Sequence, residues 1–341
     1  MDIRFGGGKQ KTIGHGGSQK IGKAAHFGLD HTPISSHGNP AMHDLFEAAL
    51  AKRAPWLTAE LTAETNAWRL IDGGGDGLPG ITLESYADNW LLATAGASVP
   101  AALATWLQQQ ARPCYWKKLD LYQKEPPRHH CGPEVAAPFL MRENGLRFEI
   151  SLQAGYSQGI FLDQRDNRAE VRRLMRPGLR LLNTFAYTGA FSVAAASAGA
   201  ETTTLDLSQP ALDWAKRNFA HNALDPAAHH FCKGDTFHWL RRFAKQGRQF
   251  DAIILDPPTF SRAENGKIFR VENDFGSLVA LALEILTPDG WLLCCSNCRA
   301  LPATAFERQI LTSSRQRLAI RSAPLPADFT GEPYLKSVWV S

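Results

Sequence analysis

The chain has 341 residues, 44% hydrophobic and 21% charged, a globular composition that excludes a disordered, collagen-like or fibrous protein. Its 37 basic and 33 acidic residues leave a formal net charge of +4, which permits a nucleic-acid partner without requiring one. No apolar run reaches the roughly 18 residues of a membrane span, no secretory signal opens the chain, and six cysteines at this length point to reduced thiols in the cytoplasm rather than a disulfide scaffold.

Residues 1–40 stand apart. They carry Gly6-Gly7-Gly8, Gly16-Gly17 and five lysines or arginines before Ala24, with little hydrophobic periodicity. Such a segment buries too little surface to offset its ordering entropy. It reads as a flexible basic tail, either an arm that touches phosphates or a plain solvated end. Residues 41–150 read as a small α+β accessory domain, with strands expected at 68–71, 81–86 and 90–94. The glycine-rich stretch 72–80 reads as a turn and not a phosphate loop, because it opens no helix. Stretch 125–133 reads as a loop. Its His129, His130 and Cys131 have no second ligand pair at metal spacing, and no metal is expected.

From residue 151 to 341 the pattern becomes strand-then-helix. Strands are expected at 179–184, 202–206, 250–255 and 291–296, and helices at 189–199, 208–222 and 275–286. In the second helix Ser208 is a good cap, and Ala211, Ala215 and Phe219 share one face. This alternation implies an α/β, Rossmann-like fold, a mostly parallel, doubly wound sheet with helices on both faces. Ligands in such sheets sit at the carboxyl ends of the strands.

Those ends hold Asn183-Thr184-Phe185-Ala186-Tyr187-Thr188-Gly189, Asp206-Leu207-Ser208, Gly234-Asp235-Thr236, Asp256-Pro257-Pro258-Thr259-Phe260 and Ser296-Asn297-Cys298. The first turn has a single glycine, Gly189, where a dinucleotide site needs G-x-G-x-x-G. That argues for a nucleoside-bearing ligand without phosphates. Asp206 is positioned to accept from both ribose hydroxyls. Asp235 suits an adenine amino group, with Leu207 and Phe237 against the ring. S-adenosylmethionine fits this set. A helix cap would explain any one of these aspartates, but not three at successive strand ends. In Asp256-Pro257-Pro258-Thr259-Phe260, two prolines fix a rigid extended turn. Asp256 and the Pro257 carbonyl can then accept from a planar base while Phe260 stacks on it; a plain proline turn is the alternative.

The stretch from Gly159 onward resembles the class I S-adenosylmethionine-dependent methyltransferases that modify bases of large-subunit ribosomal RNA. The carriers are Phe161-Leu162-Asp163-Gln164-Arg165, Asn183-x-Phe185-x-Tyr187-Thr188-Gly189, Asp206-x-Ser208, Asp256-Pro257-Pro258-Thr259-Phe260 and Ser296-Asn297. Weaker similarity reaches upstream through Arg69-Leu70-Ile71 and Gly75-Asp76-Gly77-Leu78-Pro79-Gly80. The resemblance implies a class I methyltransferase domain at 151–341, S-adenosylmethionine as cofactor, ribosomal RNA as partner, and contact with that RNA by residues 41–150. It also implies that Phe161, Asp163, Gln164 and Arg165 help close the cofactor pocket, with Arg165 pairing the methionine carboxylate. Taken alone, Asp163 and Arg165 would pass for a surface pair. Asn183, Phe185, Tyr187, Thr188, Gly189, Asp206, Leu207, Ser208, Asp235 and Thr236 would complete the cofactor site, and Asp256, Pro257, Pro258 and Phe260 the catalytic loop. One branch of the family begins with an RNA-binding PUA domain, for which the stretch before residue 60 is too short.

Two chemistries compete for the target atom. Cytosine carbon-5 is a poor nucleophile and needs a cysteine thiolate to add to the ring first. The branch that does this carries S-C-S at the end of its fifth strand. Here the tripeptide is Ser296-Asn297-Cys298, and Cys298, one place late, faces the other way if the strand continues. The guanine-N7 branch carries D-P-P-T-F-S and S-N-N, closer to residues 256–261 and 296–298. Nitrogen-7 has its own lone pair and needs only alignment, so guanine N7 is the favoured expectation. Cys294 and Cys295 read as core. A non-RNA methyltransferase, or a silent RNA-binding or assembly protein on this fold, is the alternative.

Overall fold

The computed structural model describes residues 41–119, 125–155, 157–262 and 268–341; the basic tail at 1–40 lies outside them. The described chain opens with α1 (Met42–Arg53) and α2 (Ala59–Glu64). A five-stranded sheet follows in chain order: β1 (Ala67–Asp72), β2 (Ile81–Tyr86), β3 (Asn89–Thr94), β4 (Cys114–Lys118) and β5 (Arg128–Cys131). It is antiparallel except where α3 (Ala101–Gln109) carries the chain across from β3 to a parallel β4. Trp106 of α3 fills the space under the sheet, its ring 5.2 Å from Phe46 and 5.7 Å from Trp90. Burying a ring of that size stabilises by about 1.5–3 kcal/mol.

Residues 125–133, expected to be loop, contain β5. Its Arg128-His129-His130-Cys131 shows no apolar alternation because it is an edge strand paired on one side only. The glycine-rich 72–80 is a turn, as its composition suggests. Gly75 has a further reason to lack a side chain: a Cβ there would lie 2.2 Å from the carbonyl oxygen of Thr330. The bare backbone admits the C-terminal segment.

Next come the hairpin β6 (Phe139–Glu143) and β7 (Leu146–Ile150), and then α4 (Arg165–Leu174). The second sheet is built from β8 (Arg180–Thr184), α5 (Ala190–Ser197), β9 (Glu201–Asp206), α6 (Gln209–His221), β10 (His230–Lys233), α7 (Thr236–Lys245) and β11 (Phe250–Leu255). A small hairpin, β12 (Phe260–Arg262) and β13 (Ile268–Arg270), interrupts it. The sheet is completed by α8 (Val271–Leu283), β14 (Leu286–Ser296), α9 (Ala303–Leu311), β15 (Ile320–Ala323) and β16 (Lys336–Val340).

The strand order is β10-β9-β8-β11-β14-β16-β15. The pairs from β10 through β14 are parallel, and β16 and β15 close the edge antiparallel. This is the Rossmann-like α/β fold expected from the sequence. The direction of winding reverses between β8 and β11, and a ligand crevice opens at such a reversal. Leu181, Leu182, Ile253, Ile254, Leu292 and Leu293 are fully buried, as central strands covered on both faces require. A third core group joins the two sheets: Tyr86, Leu91 and Met141 pack with Leu162, Val193 and Phe219. Among the described residues no helix is long and apolar enough to cross a membrane.

Candidate active site at the strand ends

The β8–α5 turn is the first wall of the crevice. Phe185 and Tyr187 both adopt left-handed backbone, at φ 53° and 49°, which side-chain-bearing residues hold only under restraint. The restraint is visible: Ala186 N donates to Leu205 O at 3.0 Å, Tyr187 N to Asp206 Oδ2 at 2.8 Å, and Gly189 N to Ala186 O at 2.8 Å. Gly189 itself sits at φ 73°, and a Cβ there would come within 2.8 Å of Ala215 Cβ. Its absence lets α5 and α6 approach. Asn183 is 1% exposed and donates to Ser192 Oγ at 3.0 Å, pinning α5 to β8. Thr188 donates to Gly159 O and the Tyr187 hydroxyl to Ser157 O, so both brace the segment before α4. The half-exposed Phe161 ring lies 5.6 Å from Tyr187.

Asp206 ends β9. Its Oδ2 accepts from Tyr187 N and its Oδ1 from Ser208 N, each at 2.8 Å. A carboxylate has about four acceptor sites, so both oxygens can still take a hydroxyl. Burial pushes its carboxyl above the ordinary value, against these backbone donors. Asp235 caps α7, its Oδ1 accepting from His238 N at 2.8 Å. Beside Asp235 lies a pocket of about 640 Å³ lined by Phe185, Leu207, Asp235, Thr236, Phe237 and Phe269, among others. Phe269 stands 6.3 Å from Phe185 and 5.7 Å from Phe237, forming an aromatic cup. Apolar walls for a planar ring, with one carboxylate at the cap and another beside the turn, fit an adenosine moiety. Asp206→Ala should weaken cofactor binding by about 1.5–3 kcal/mol, the usual worth of hydrogen bonds to a charged group. Calorimetry with S-adenosylmethionine and with its demethylated product measures this, and unchanged affinity would contradict it.

The second wall begins at the end of β11. Asp256 is followed by a buried Pro257, an exposed Pro258 and Phe260, whose ring is 46% exposed. Thr259 Oγ1 donates to Asn297 Oδ1 at 3.0 Å, tying this loop to the end of β14. Gln164 Nε2 donates to Asp256 Oδ2 at 3.0 Å, and Asn167 holds Gln164 from behind at 2.6 Å. Burial, and secondly the charge of Asp163, push the Asp256 carboxyl up to about 7. Asp163 accepts from the Tyr334 hydroxyl at 2.7 Å and is itself raised by burial. Beyond it, Arg69 donates to Glu84 at 2.8 Å and to Asp72 at 2.9 Å. Thus a polar wall of the first sheet, Arg69 with Glu84, faces the carboxylates of the second. Tyr334, Glu84 and Phe269 carry no motif signal, since each enters the site from a segment remote in sequence.

Arg165 requires a correction. It is 7% exposed, its Nη2 and Nη1 lie 2.5 and 3.2 Å from the oxygens of Asp328, and its guanidinium sits 4.6 Å from the centre of the Trp68 ring. One step along the helical turn separates it from Gln164, so it points to β1 and not into the crevice. The expected pairing with a cofactor carboxylate is replaced by a buried ion pair. Cys298 is 3% exposed, packs among Leu301 and Phe306, and has its sulfur 3.3 Å from Glu272 Oε1. Burial first, and that carboxylate second, push its thiol upward. Cys294 and Cys295 are fully buried core.

A parallel sheet with paired strand-end aspartates, an aromatic cup and no glycine cradle for a pyrophosphate defines a class I methyltransferase site. Residues 104–316 match the profile of the family described as S-adenosylmethionine-dependent methyltransferase. A protein of Erwinia tasmaniensis named ribosomal RNA large subunit methyltransferase I is 36% identical over 76% of this chain and 67% of its own length. A ribosomal RNA large subunit methyltransferase of Deinococcus radiodurans is 34% identical over 86% of this chain and 77% of its own. The crystal structure of SMU.776 complexed with SAH superposes with a TM-score of 0.80 at 31% identity, covering 87% of this chain and 80% of that one. The chain belongs to the S-adenosylmethionine-dependent methyltransferase family, and S-adenosylmethionine is its cofactor.

Proposed function

We propose that the methyl acceptor is a base of large-subunit ribosomal RNA, with guanine N7 as the target atom. The substrate class is supported by the names of the two relatives, and a cytoplasmic setting agrees with six free cysteines. The target atom rests on one observation. Asn297 stands where a cytosine-5 enzyme of this resemblance carries its nucleophile, and the adjacent Cys298 is a buried thiol beside a carboxylate. A thiolate there would meet both desolvation and like charge.

When bound, the cofactor supplies an electrophilic methyl on a sulfonium. The protein's task is alignment. Phe260 offers a flat exposed face to the base, and Asp256 and the Pro257 carbonyl offer acceptors to its edge. Methylation at N7 carries the positive charge of the sulfonium onto the base. The part-buried carboxylate of Asp256 opposes that charge at short range, where a lowered dielectric strengthens the effect. Asp163, with its tyrosine partner, lies close enough to Asp256 for its charge to raise that carboxyl.

Cys298→Ser should keep most of the transfer activity on rRNA. The decisive comparison uses RNA containing 5-fluorocytidine. A stable protein–RNA complex, abolished by Cys298→Ser, would identify Cys298 as a nucleophile and cytosine carbon-5 as the target.

A further inference from the structure

We infer that the outer end of the cofactor pocket, together with Phe260 and Ile268–Arg270, is a docking track for the RNA strand flanking the target base. This rests on the RNA reading above. Helix α7 carries His238, Arg241, Arg242 and Lys245 at i, i+3, i+4 and i+7, hence on one face. All four are exposed and line the pocket that holds Leu207 and Asp235. The helix contains no acidic residue. Arg242 lies 4.7 Å from the centre of the Trp239 ring and Arg241 5.8 Å from that of Phe237. None of the four forms an ion pair among the described residues. The carboxylates on the same pocket already accept backbone N–H groups, Asp235 from His238 and Asp274 from Arg270, each at 2.8 Å.

The cofactor does not account for this charge, because it bears no phosphate. A solvated helix face does not account for it either, because such faces commonly interleave acids with bases. The paired strands β12 and β13 connect the stripe to the catalytic loop. Phe260 pairs with Arg270 across it, and the Arg270 guanidinium lies 5.3 Å from the centre of the exposed Phe260 ring. Ile268, 40% exposed, and Phe269 then lead to the wall shared with α7. Flat apolar faces interleaved with cations are what a single RNA strand requires: surfaces for bases and charges for phosphates.

The test compares three full-length proteins: wild type, the reversal Arg241→Glu/Arg242→Glu/Lys245→Glu, and a reversal of equal charge on another face, Arg308→Glu/Arg315→Glu/Arg317→Glu. The probe is large-subunit rRNA from cells lacking the protein, and the readout is dissociation constant against KCl concentration. Far-UV circular dichroism and the thermal unfolding midpoint show that each variant is folded. The α7 reversal is expected to lower the slope of log K against log salt by about 2 or more, at about 0.7–0.9 per phosphate contact, and the control reversal by much less. Equal loss in both variants, or an unchanged slope in the α7 variant, overturns the track while leaving the RNA reading intact. Failure of the wild type to bind or methylate the rRNA overturns the RNA reading and the track with it.

Discussion

Asp256→Ala is expected to lower methyl transfer by about 10²-fold or more, the usual consequence of misplacing a reacting group, with little change in S-adenosylmethionine affinity. Asp256 lies at the end of β11, on the far side of the winding reversal from Asp206 and Asp235. Phe260→Ala should fall in the same class, because its ring is 46% exposed beside the loop that carries Asp256 and offers a face to a base. Loss of cofactor binding in either variant, or activity near wild type, would contradict this division of labour.

The same carboxyl predicts a pH signature. Its folded-state pKa is raised from the ordinary 3.8 to about 7, chiefly by burial. Between those values the folded protein holds a proton that the unfolded chain has lost. The stabilisation is therefore complete below the ordinary carboxylate pKa and disappears as pH rises through about 7. Ionisation in that same window supplies the negative charge that opposes the developing cationic base. Transfer should rise through neutral pH in the wild type, while Asp256→Asn should show a lower rate without that step. A step of equal size in the Asn variant would assign it to another group.

Asp328→Ala should destabilise the fold by about 3–5 kcal/mol, the typical result of removing one member of a buried ion pair. Asp328 is 1% exposed. Its side chain accepts from Arg165 and, at 2.8 Å, from Arg69 N, and its carbonyl accepts from Arg53 at 2.8 Å. Nearby, Gly331 N donates to Asp72 at 2.7 Å, and Thr330 donates to Asp76 at 3.1 Å. One C-terminal segment thus joins β1 and the glycine turn of the first sheet to α4 of the second. Without Asp328, Arg165 loses its buried partner and is left beside the exposed Asp166, whose Oδ1 lies 3.5 Å from its Nε. Arg165→Met/Asp328→Leu should cost clearly less than the sum of the single losses, because both charges leave together. Denaturant unfolding measures all three, and strict additivity would show that the pair does not act as a unit.

What could be read from the sequence follows from locality. The strand at 250–255 matches the structure residue for residue because Ile253, Ile254 and Leu255 form a central, doubly covered strand. The helix expected at 275–286 begins at Val271 and ends at Leu283, since the polar Glu272-Asn273-Asp274 masks its apolar period. The antiparallel edge, β15 and β16, follows no strand–helix alternation and was not anticipated. Asp206, Asp235 and Asp256 were legible because their meaning lies in one local fact, the strand that each one ends. Arg165 was not: its partner is 163 positions away. Asn183 has a local structural role as well. A polar residue near the end of a strand resembles a ligand contact, yet its partner Ser192 lies on the very next helix.

The most direct measurement is nucleoside mass spectrometry of large-subunit rRNA, taken from cells lacking the protein and incubated with the purified enzyme and S-adenosylmethionine. The expected result is one new 7-methylguanosine, absent when Asp256→Ala is used. The appearance of 5-methylcytidine instead, or of no methylated nucleoside with a protein that binds its cofactor, would contradict it.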